Sequence, residues 1–496
     1  MKIFLQHLGI GLAVGILVAI SFGAQLFSGP EHLFEDVLVS AKPVSNEIVI
    51  LAIDSESITR IGQWPWKREI FAKAFSTLEK AGPKAVGVDV VFSEPSRFGK
   101  EDDAILTNTL GKVTYQIIFP VEGISLSLQG SLPASAALIL KPLQQFLLNT
   151  KNIKLAHVNI VLDRDGIVRS FPLQITDGAK KELFNQFSYE TAKQGGFPIE
   201  TSSLPALTKI VYSQPTGSIR RIPFWRILEE NVSQELKNKL VFIGVTSPDL
   251  HDEQLTPFSK GTSMPGVEIQ AQIANMIIKG YRLRDLSTNA SYLWILLAAF
   301  LPCLIFYFSK RSSLALLLCA IVTFFNIIIV ALLFENGIIV NFVHTTLALL
   351  VGSGVIFATR YFTTEREKRE MRNAFSKYVS HDVLNEILRD PSKIRLGGEE
   401  KEVTVFFSDV RGFTTLSETM TPTQLTHFLN RYLTLMTNII LEERGVVDKY
   451  IGDAIMAFWG APLTNKNHAI DAVIVSLKMI DALHRFNEES RTANDP

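Results

Sequence analysis

EVTVFFSDVRGFTTLSE, residues 402–418, and RGVVDKYIGDAIMAFWGAP, residues 444–462, decide how the C-terminal part of this chain folds. Val403–Asp409 is an apolar run ending in an acid, the pattern of a buried strand. Thr421, Pro422 and Gln424 then open a helix, with Thr as N-cap, Pro at the first helical position and Gln completing a capping box. Leu425, Phe428, Leu429, Tyr432, Leu433, Met436 and Ile440 share one face, and Gly445 ends the helix. Val446–Tyr450 and Ala454–Trp459 follow as two strands joined through Ile451, Gly452 and Asp453. The order β-α-β-β opens a ferredoxin-like α+β sheet. First strand and hairpin are then neighbours, so Asp409 and Asp453 can converge.

Two carboxylates at strand and hairpin tips suit a pair of divalent ions placed for phosphoryl transfer. Mg²⁺ fits such a site, because it binds through a few carboxylates plus substrate phosphates. Within Val410-Arg411-Gly412-Phe413-Thr414, the glycine lets backbone N–H groups approach a triphosphate. No Walker A motif occurs, which excludes a P-loop enzyme. Spacing alone leaves two readings open, metal binding and ordinary strand-end polarity. On strand alternation Lys449 should face opposite to Asp448 and Tyr450. A further helix is expected at His468–Phe486, apolar at Ile470, Val473, Leu477, Ile480 and Leu483.

Upstream, residues 363–395 are charged and helix-favouring, with a narrow stripe at Met371, Phe375, Tyr378, Val379 and Leu384. That stripe suits a two-helix seam, and a solvated linker remains the alternative. Before it lie three charge-free runs, read as transmembrane helices at 290–309, 312–334 and 338–359. A fourth, residues 8–27, follows Lys2, with no further charge until Glu31. It reads as a retained anchor. A signal peptide is the rival, opposed by a one-lysine n-region and the lack of a clean cleavage site. Lys2, Lys310-Arg311 and the Arg360–Arg372 cluster place both termini in the cytoplasm and residues 31–285 outside. The expected location is the inner cell membrane, crossed four times, with the bilayer itself as a partner.

Residues 31–285 have the pattern of a folded α/β domain. Glu47–Asp54, Lys84–Phe92 and Lys239–Thr246 read as strands buried on both faces. Arg68–Gly82 is the helix between the first two, which makes a βαβ unit, and another helix runs Pro265–Ile278. Asp54 and Asp89 sit at strand ends, where open sheets place ligands, or where acids cap the next turn. The whole chain has 496 residues, with 49 Lys+Arg against 49 Asp+Glu. That length implies several domains, and the zero balance argues against a nucleic-acid partner. Cys303 and Cys319 both fall within expected spans, so the outer domain carries no disulfide framework.

Two resemblances add to this reading. AIDSESITRIGQWPWKREIFAKAFSTLEKAGPKAVGVDVVFSEPS with VFIGVTSPDLHDEQLTPFSKGTSMPGVEIQAQIANMI resembles the CHASE-type extracellular sensor family, second subtype. Its marks here are Trp64–Arg68, the Gly-Val-Asp strand and Pro265–Glu268. The resemblance implies a sensor of an unknown external ligand, followed by three spans and a cytoplasmic output module. The two stretches that open this section closely resemble the class III nucleotide cyclase domain, adenylate or guanylate. That implies metal ligation by Asp409, Asp453 and the Val410 carbonyl, with two Mg²⁺ (or Mn²⁺) ions per site. It implies a phosphate-facing loop at Gly412, Phe413 and Thr414, and adenine recognition by Lys449. A lysine donor suits adenine N1, an acceptor; guanine N1–H calls for an acceptor instead.

The implied protein is a membrane adenylate cyclase making cyclic AMP and pyrophosphate from ATP. Its site would form in a homodimer held through the cyclase domain and coupling helix. The family's domain continues beyond the second aspartate to a second base contact, an Asn and an Arg. No Asn/Arg pair stands at the right place after Phe486, so residues 396–496 are expected to be the N-terminal half of that domain, its C-terminal part missing by truncation. A guanylate cyclase and a non-catalytic sensor or dimerisation partner remain alternatives.

Overall fold

The structure, a computed structural model, describes residues 2–128, 133–148, 150–178, 182–199, 204–229, 232–259, 261–375 and 400–492. The chain divides into two units, Met1–Phe357 and Ala358–Pro496.

In the first unit, helix α1 (Lys2–Gly23) is followed by α2 (Ser28–Leu38). Left-handed Gln25 and Phe27 break the chain between them, so the apolar run read as one span to residue 27 ends its helix at Gly23. The central sheet then begins with β1 (Ile48–Ile53), continuing through α3 (Ser55–Ile61) and α4 (Arg68–Ala81) to β2 (Ala85–Asp89). After α5 (Lys100–Leu110) come β3 (Gln116–Ser127) and β4 (Ile153–His157), then α6 (Phe187–Gln194), β5 (Arg221–Pro223), β6 (Leu240–Val245) and α7 (Gly266–Lys279). The sheet order is β5-β1-β6-β2-β3, all parallel, with β4 parallel to the first half of β3. The second half of β3 pairs antiparallel with Ala134–Leu140.

Continuous apolar sequence in β1 and β6 follows from burial on both faces. One face packs Phe71, Phe75 and Leu78 of α4; the other packs Phe187 of α6 with Val267, Ile273 and Ile277 of α7. The result is a three-layer α/β domain. Asp54 caps α3, accepting the Ser57 N–H at 2.8 Å. Asp89 ends β2, and burial raises its carboxyl to about 8, with Asp252 and Glu122 adding to the rise.

Three further long helices follow, α8 (Thr288–Phe308), α9 (Ser312–Glu335) and α10 (Phe342–Phe375). Leu5–Gly23, Thr288–Phe308, Ser312–Glu335 and Phe342–Arg366 are each long and apolar enough to cross a membrane. Gly11 lets α1 approach α8: a Cβ there would meet Cys303 Sγ at 2.5 Å and the Ala299 carbonyl at 3.2 Å. Small residues four apart, Gly11 and Gly15, are the usual means of such close helix packing.

The α/β domain is tied to these helices by polar contacts. Arg284 and Asp285, ahead of α8, pair in parallel with Ile338 and Ile339, ahead of α10. Asp36 of α2 takes Arg169 Nε at 3.0 Å and Nη2 at 2.7 Å, and Asp163 and Asp165 each accept from the same guanidinium at 2.8 Å. Lys209 joins Glu35 of α2 at 2.9 Å to Asp285 at 3.3 Å.

The second unit contains the end of α10 and a separate α+β domain. On the coupling stripe, Met371 and Phe375 lie in α10. Tyr378, Val379, Leu384 and the expected domain start at 396 lie outside the described residues. The domain has β7 (Thr404–Ser408), α11 (Phe413–Glu418), α12 (Pro422–Glu442), β8 (Val446–Ile451), β9 (Ala454–Trp459) and α13 (His468–Thr492). Its sheet order is β7-β9-β8, both pairs antiparallel.

Candidate active site

The helix start at Thr421 sets the frame for the site. Thr421 Oγ1 accepts the Gln424 N–H, and Gln424 Oε1 accepts the Thr421 N–H at 2.9 Å, closing the capping box. From there α12 lays Tyr432, Met436 and Ile440 on the sheet, against Trp459 and Val447. Trp459 is fully buried and its indole N–H donates to the Glu443 carbonyl at 2.9 Å. This packing seats α12 on the strands, whose opposite ends carry the acids.

Two features of this domain differ from the sequence reading. The strand read as buried is only half-buried on one face, since Val405 and Phe407 of β7 are 49 % and 64 % exposed. The apolar stripe read on α13 is the outward one: Ile470, Val473 and Leu477 are at least 60 % exposed. Ala472, Val475, Met479, Ala482 and Phe486 face the core instead. Both have one cause. Among the described residues α12 and α13 cover a single face of the sheet, and the small Ala472 and Ala482 let α13 lie close to it.

β7 ends at Ser408, so Asp409 begins the loop, while Asp453 sits at the tip of the β8–β9 hairpin, next to the Ile451–Ala454 pair. The Val410 N–H lies 3.1 Å from Asp409 Oδ1 and 3.2 Å from Asp453 Oδ2. One backbone donor therefore holds the two carboxylates side by side. Gly412 follows with φ +75°, the left-handed conformation that turns the chain into α11 and favours glycine. Phe413 N–H donates back to the Val410 carbonyl at 3.2 Å.

A cavity of about 530 Å³ opens beside Asp409, Val410 and Arg411, with Tyr432 and Phe428 of α12 at its wall. Asn487, Ser490 and Arg491 near the end of α13 also line it. Burial pushes the Tyr432 phenol up, and the charges of Asp453 and Asp409 push it further. That proximity was hidden in the sequence, where Tyr432 counted only as a core position.

Lys449 lies on β8, exposed, its Nζ 3.1 Å from Asp448 Oδ2. The expected alternation fails here. A register shift between Val447 and Lys449 leaves Asp448 without a strand partner, and a bulge of this kind brings neighbouring side chains together. The structure thus gathers Asp409, Val410 and Asp453 and places Gly412, Phe413 and Thr414 directly after them. Lys449 stands apart on its strand, engaged with Asp448.

The donor set fits a hard divalent cation. Asp409, Asp453 and the Val410 carbonyl offer oxygen only, which suits Mg²⁺ or Mn²⁺. Among the described residues no group of three or more His, Cys, Asp and Glu gathers, so no all-protein cage forms. Mg²⁺ requires none where substrate phosphates complete its shell.

A three-layer α/β domain, four apolar helices and an α+β domain with paired aspartates thus lie on one chain. Residues 12–304 match the CHASE2 domain, and residues 398–494 match the adenylate and guanylate cyclase catalytic domain. The chain belongs to the CHASE2-domain family and carries a cyclase catalytic domain at its C-terminal end.

Among curated proteins it is 37 % identical over 119 residues to an adenylate cyclase of Anabaena cylindrica, covering 24 % of this chain and 23 % of that one. It is 31 % identical over 122 residues to adenylate cyclase 1 of Rhizobium meliloti, covering 25 % and 18 %. The chain thus spans less than a quarter of either relative's length. Among solved structures, the adenylyl cyclase CyaB from P. aeruginosa is 40 % identical over 20 % of this chain and 51 % of that one, with a TM-score of 0.19.

Proposed function

We propose that this protein is a membrane-bound adenylate cyclase that converts ATP to 3′,5′-cyclic AMP and pyrophosphate under control of its CHASE2 domain. The observation that carries the reading is the shared Val410 N–H, which holds Asp409 and Asp453 together beside the 530 Å³ cavity.

The reaction is intramolecular. The ribose 3′-oxygen forms a bond to the α-phosphorus as the bond to the β,γ-diphosphate breaks. Pyrophosphate leaves with the electron pair, and the hydroxyl proton passes to water. Asp409, Asp453 and the Val410 carbonyl would hold two Mg²⁺ or Mn²⁺ ions. Such ions, when bound, would neutralise the triphosphate and make the ribose hydroxyl more acidic. Gly412, Phe413 and Thr414 form the turn that faces the phosphates, held in place before substrate arrives by the Phe413 N–H bond to the Val410 carbonyl.

Lys449 supplies a cation for the adenine edge, where N1 accepts a hydrogen bond. Its Nζ is engaged with Asp448 on β8, and by resemblance to the cyclase family the reading has it serve the site of a second copy. A homodimer is therefore part of the proposal. Lys2, Lys310, Arg311 and the basic start of the linker place the cyclase domain in the cytoplasm and the CHASE2 domain outside, by the bias of basic loops toward that side.

The test is product formation by the protein in membranes, with ATP and with GTP, in Mg²⁺ or Mn²⁺. Asp409→Asn or Asp453→Asn should lower cyclic AMP formation at least about a hundredfold, the scale of lost charge stabilisation at a reacting phosphate. Undiminished product in either variant overturns the assignment, and preferential formation of cyclic GMP overturns the role of Lys449.

A further inference from the structure

The CHASE2 domain contains a second cavity, of about 360 Å³, remote in sequence from the cyclase domain. It lies at the C-terminal end of the parallel sheet, between the turn that precedes α4 and the loop that follows β2. Open α/β sheets place their ligands at that end. The size falls at the lower end of small-molecule sites, roughly 300–1,000 Å³.

Its walls are aromatic. Trp64 and Trp66 meet edge to face at 5.2 Å, and Phe71 backs both of them at 6.2 Å. Trp66 is locked by its indole N–H, which donates to the Gly62 carbonyl at 2.7 Å. Across the opening stands Phe98, 44 % exposed. The loop that carries it is braced, since Ser96 N–H and Oγ donate to Asp103 and Asp102 at 3.0 and 2.5 Å. Asp102 also accepts the Arg68 and Glu69 N–H groups at 2.8 and 3.0 Å. The start of α4 is therefore already occupied by a carboxylate. The cleft is preformed, and its anion selectivity must come from side chains.

Three cations surround it in different conditions. Arg68 is committed: it lies 4.4 Å over the Phe92 ring, donates to the Glu94 carbonyl at 3.1 Å and pairs with Asp103 at 3.4 Å. Arg97 donates only to the Pro65 carbonyl, at 2.9 Å, and sits 4.8 Å from the Phe98 ring. Lys67 stands beside the cleft, its Nζ 5.6 Å from the centroid of the same ring. Among the described residues no carboxylate pairs with Arg97 or Lys67 within 4 Å. One acid, Glu94, also lines the cleft, exposed, with its carbonyl accepting from Arg68.

We propose that this cleft is a ligand site of the CHASE2 domain and that it takes a planar aromatic anion. The ring rests against Trp64, Phe71 and Phe98, and the negative group faces Arg97 and Lys67. Aromatic walls alone would equally admit an organic cation; Arg97 and Lys67, neither paired with a carboxylate among the described residues, outnumber the one lining acid, Glu94, and select against one. The site stands independently of the cyclase reading, because its readout is binding.

The test uses the full chain in lipid nanodiscs and equilibrium dialysis against 1-naphthoate, with 1-naphthylmethylammonium as the cation of the same shape. The expected result is saturable binding of naphthoate, at least about tenfold tighter than the cation. Arg97→Glu and Lys67→Glu, both on exposed side chains outside the core, should weaken naphthoate at least about tenfold together and improve the cation. Trp64→Ala should weaken both probes. Absence of saturable naphthoate binding, equal affinity for anion and cation, or indifference to the two charge reversals would each overturn the proposal.

Discussion

Glu31 is the first charged residue after Lys2, and the fold buries it to 7 % exposure at the start of α10. Its carboxylate accepts the Phe342 N–H and, at 2.9 Å, the Val343 N–H, with His344 Nδ1 3.9 Å away. Two amides at a helix start favour an anion. Burial outweighs them and raises the carboxyl from 4.5 to about 7, the charge of Glu35 adding to the rise. Keeping this group ionised in the folded protein therefore costs on the order of 3 kcal/mol. The folded protein binds this proton more tightly than the unfolded chain does. Its contribution is thus fully present below pH 4.5 and lost as the pH rises to about 7.

Glu31→Gln keeps an oxygen for the two amides and removes the charge. It should leave stability nearly unchanged at pH 4.5 and raise it above pH 7, by up to about 3 kcal/mol. Thermal unfolding of both proteins in nanodiscs across that range measures the gap, which should open as the pH rises. A gap that is constant with pH, or a variant less stable above pH 7, refutes the reasoning.

Other outcomes follow from single contacts. Arg169 is buried among Asp36, Asp163 and Asp165, so Arg169→Ala leaves three carboxylates facing one another. A loss of about 3–5 kcal/mol is expected in denaturant unfolding, partly restored when Asp36→Asn is added. Gly11→Val forces a side chain into Cys303 and the Ala299 carbonyl, and should cost about 1–3 kcal/mol in detergent resistance. Gly9→Val, where a Cβ meets nothing within 4 Å, should be neutral in the same assay.

Much of the core architecture was legible because some elements carry a single local pattern. β1, β2 and β6 are unbroken apolar runs, and the capping box at Thr421 announces α12. β3 was not read, because Pro120, Glu122 and Gly123 interrupt it as a turn would. Its pairing to residues 134–140 and 153–157 supplies what the sequence pattern lacks. On α13 two apolar stripes compete: Ile470, Val473 and Leu477 point away from the sheet, while Ala472, Val475, Met479, Ala482 and Phe486 pack against it. The Asp448 bulge likewise has no local signature. Asp54 illustrates an opposite case: both a ligand role and a cap were open, and its bond to Ser57 makes it a cap.

In the proposed cyclase the aspartates of one chain act with Lys449 of another. Mixing decides it most directly. Asp409→Asn and Lys449→Ala chains, each inactive alone, are combined in one membrane and assayed for cyclic AMP from ATP. The account predicts that activity returns on mixing, because one of the two sites in a mixed dimer is intact. Product from either variant alone, or none from the mixture when the two chains are shown to pair, would contradict it.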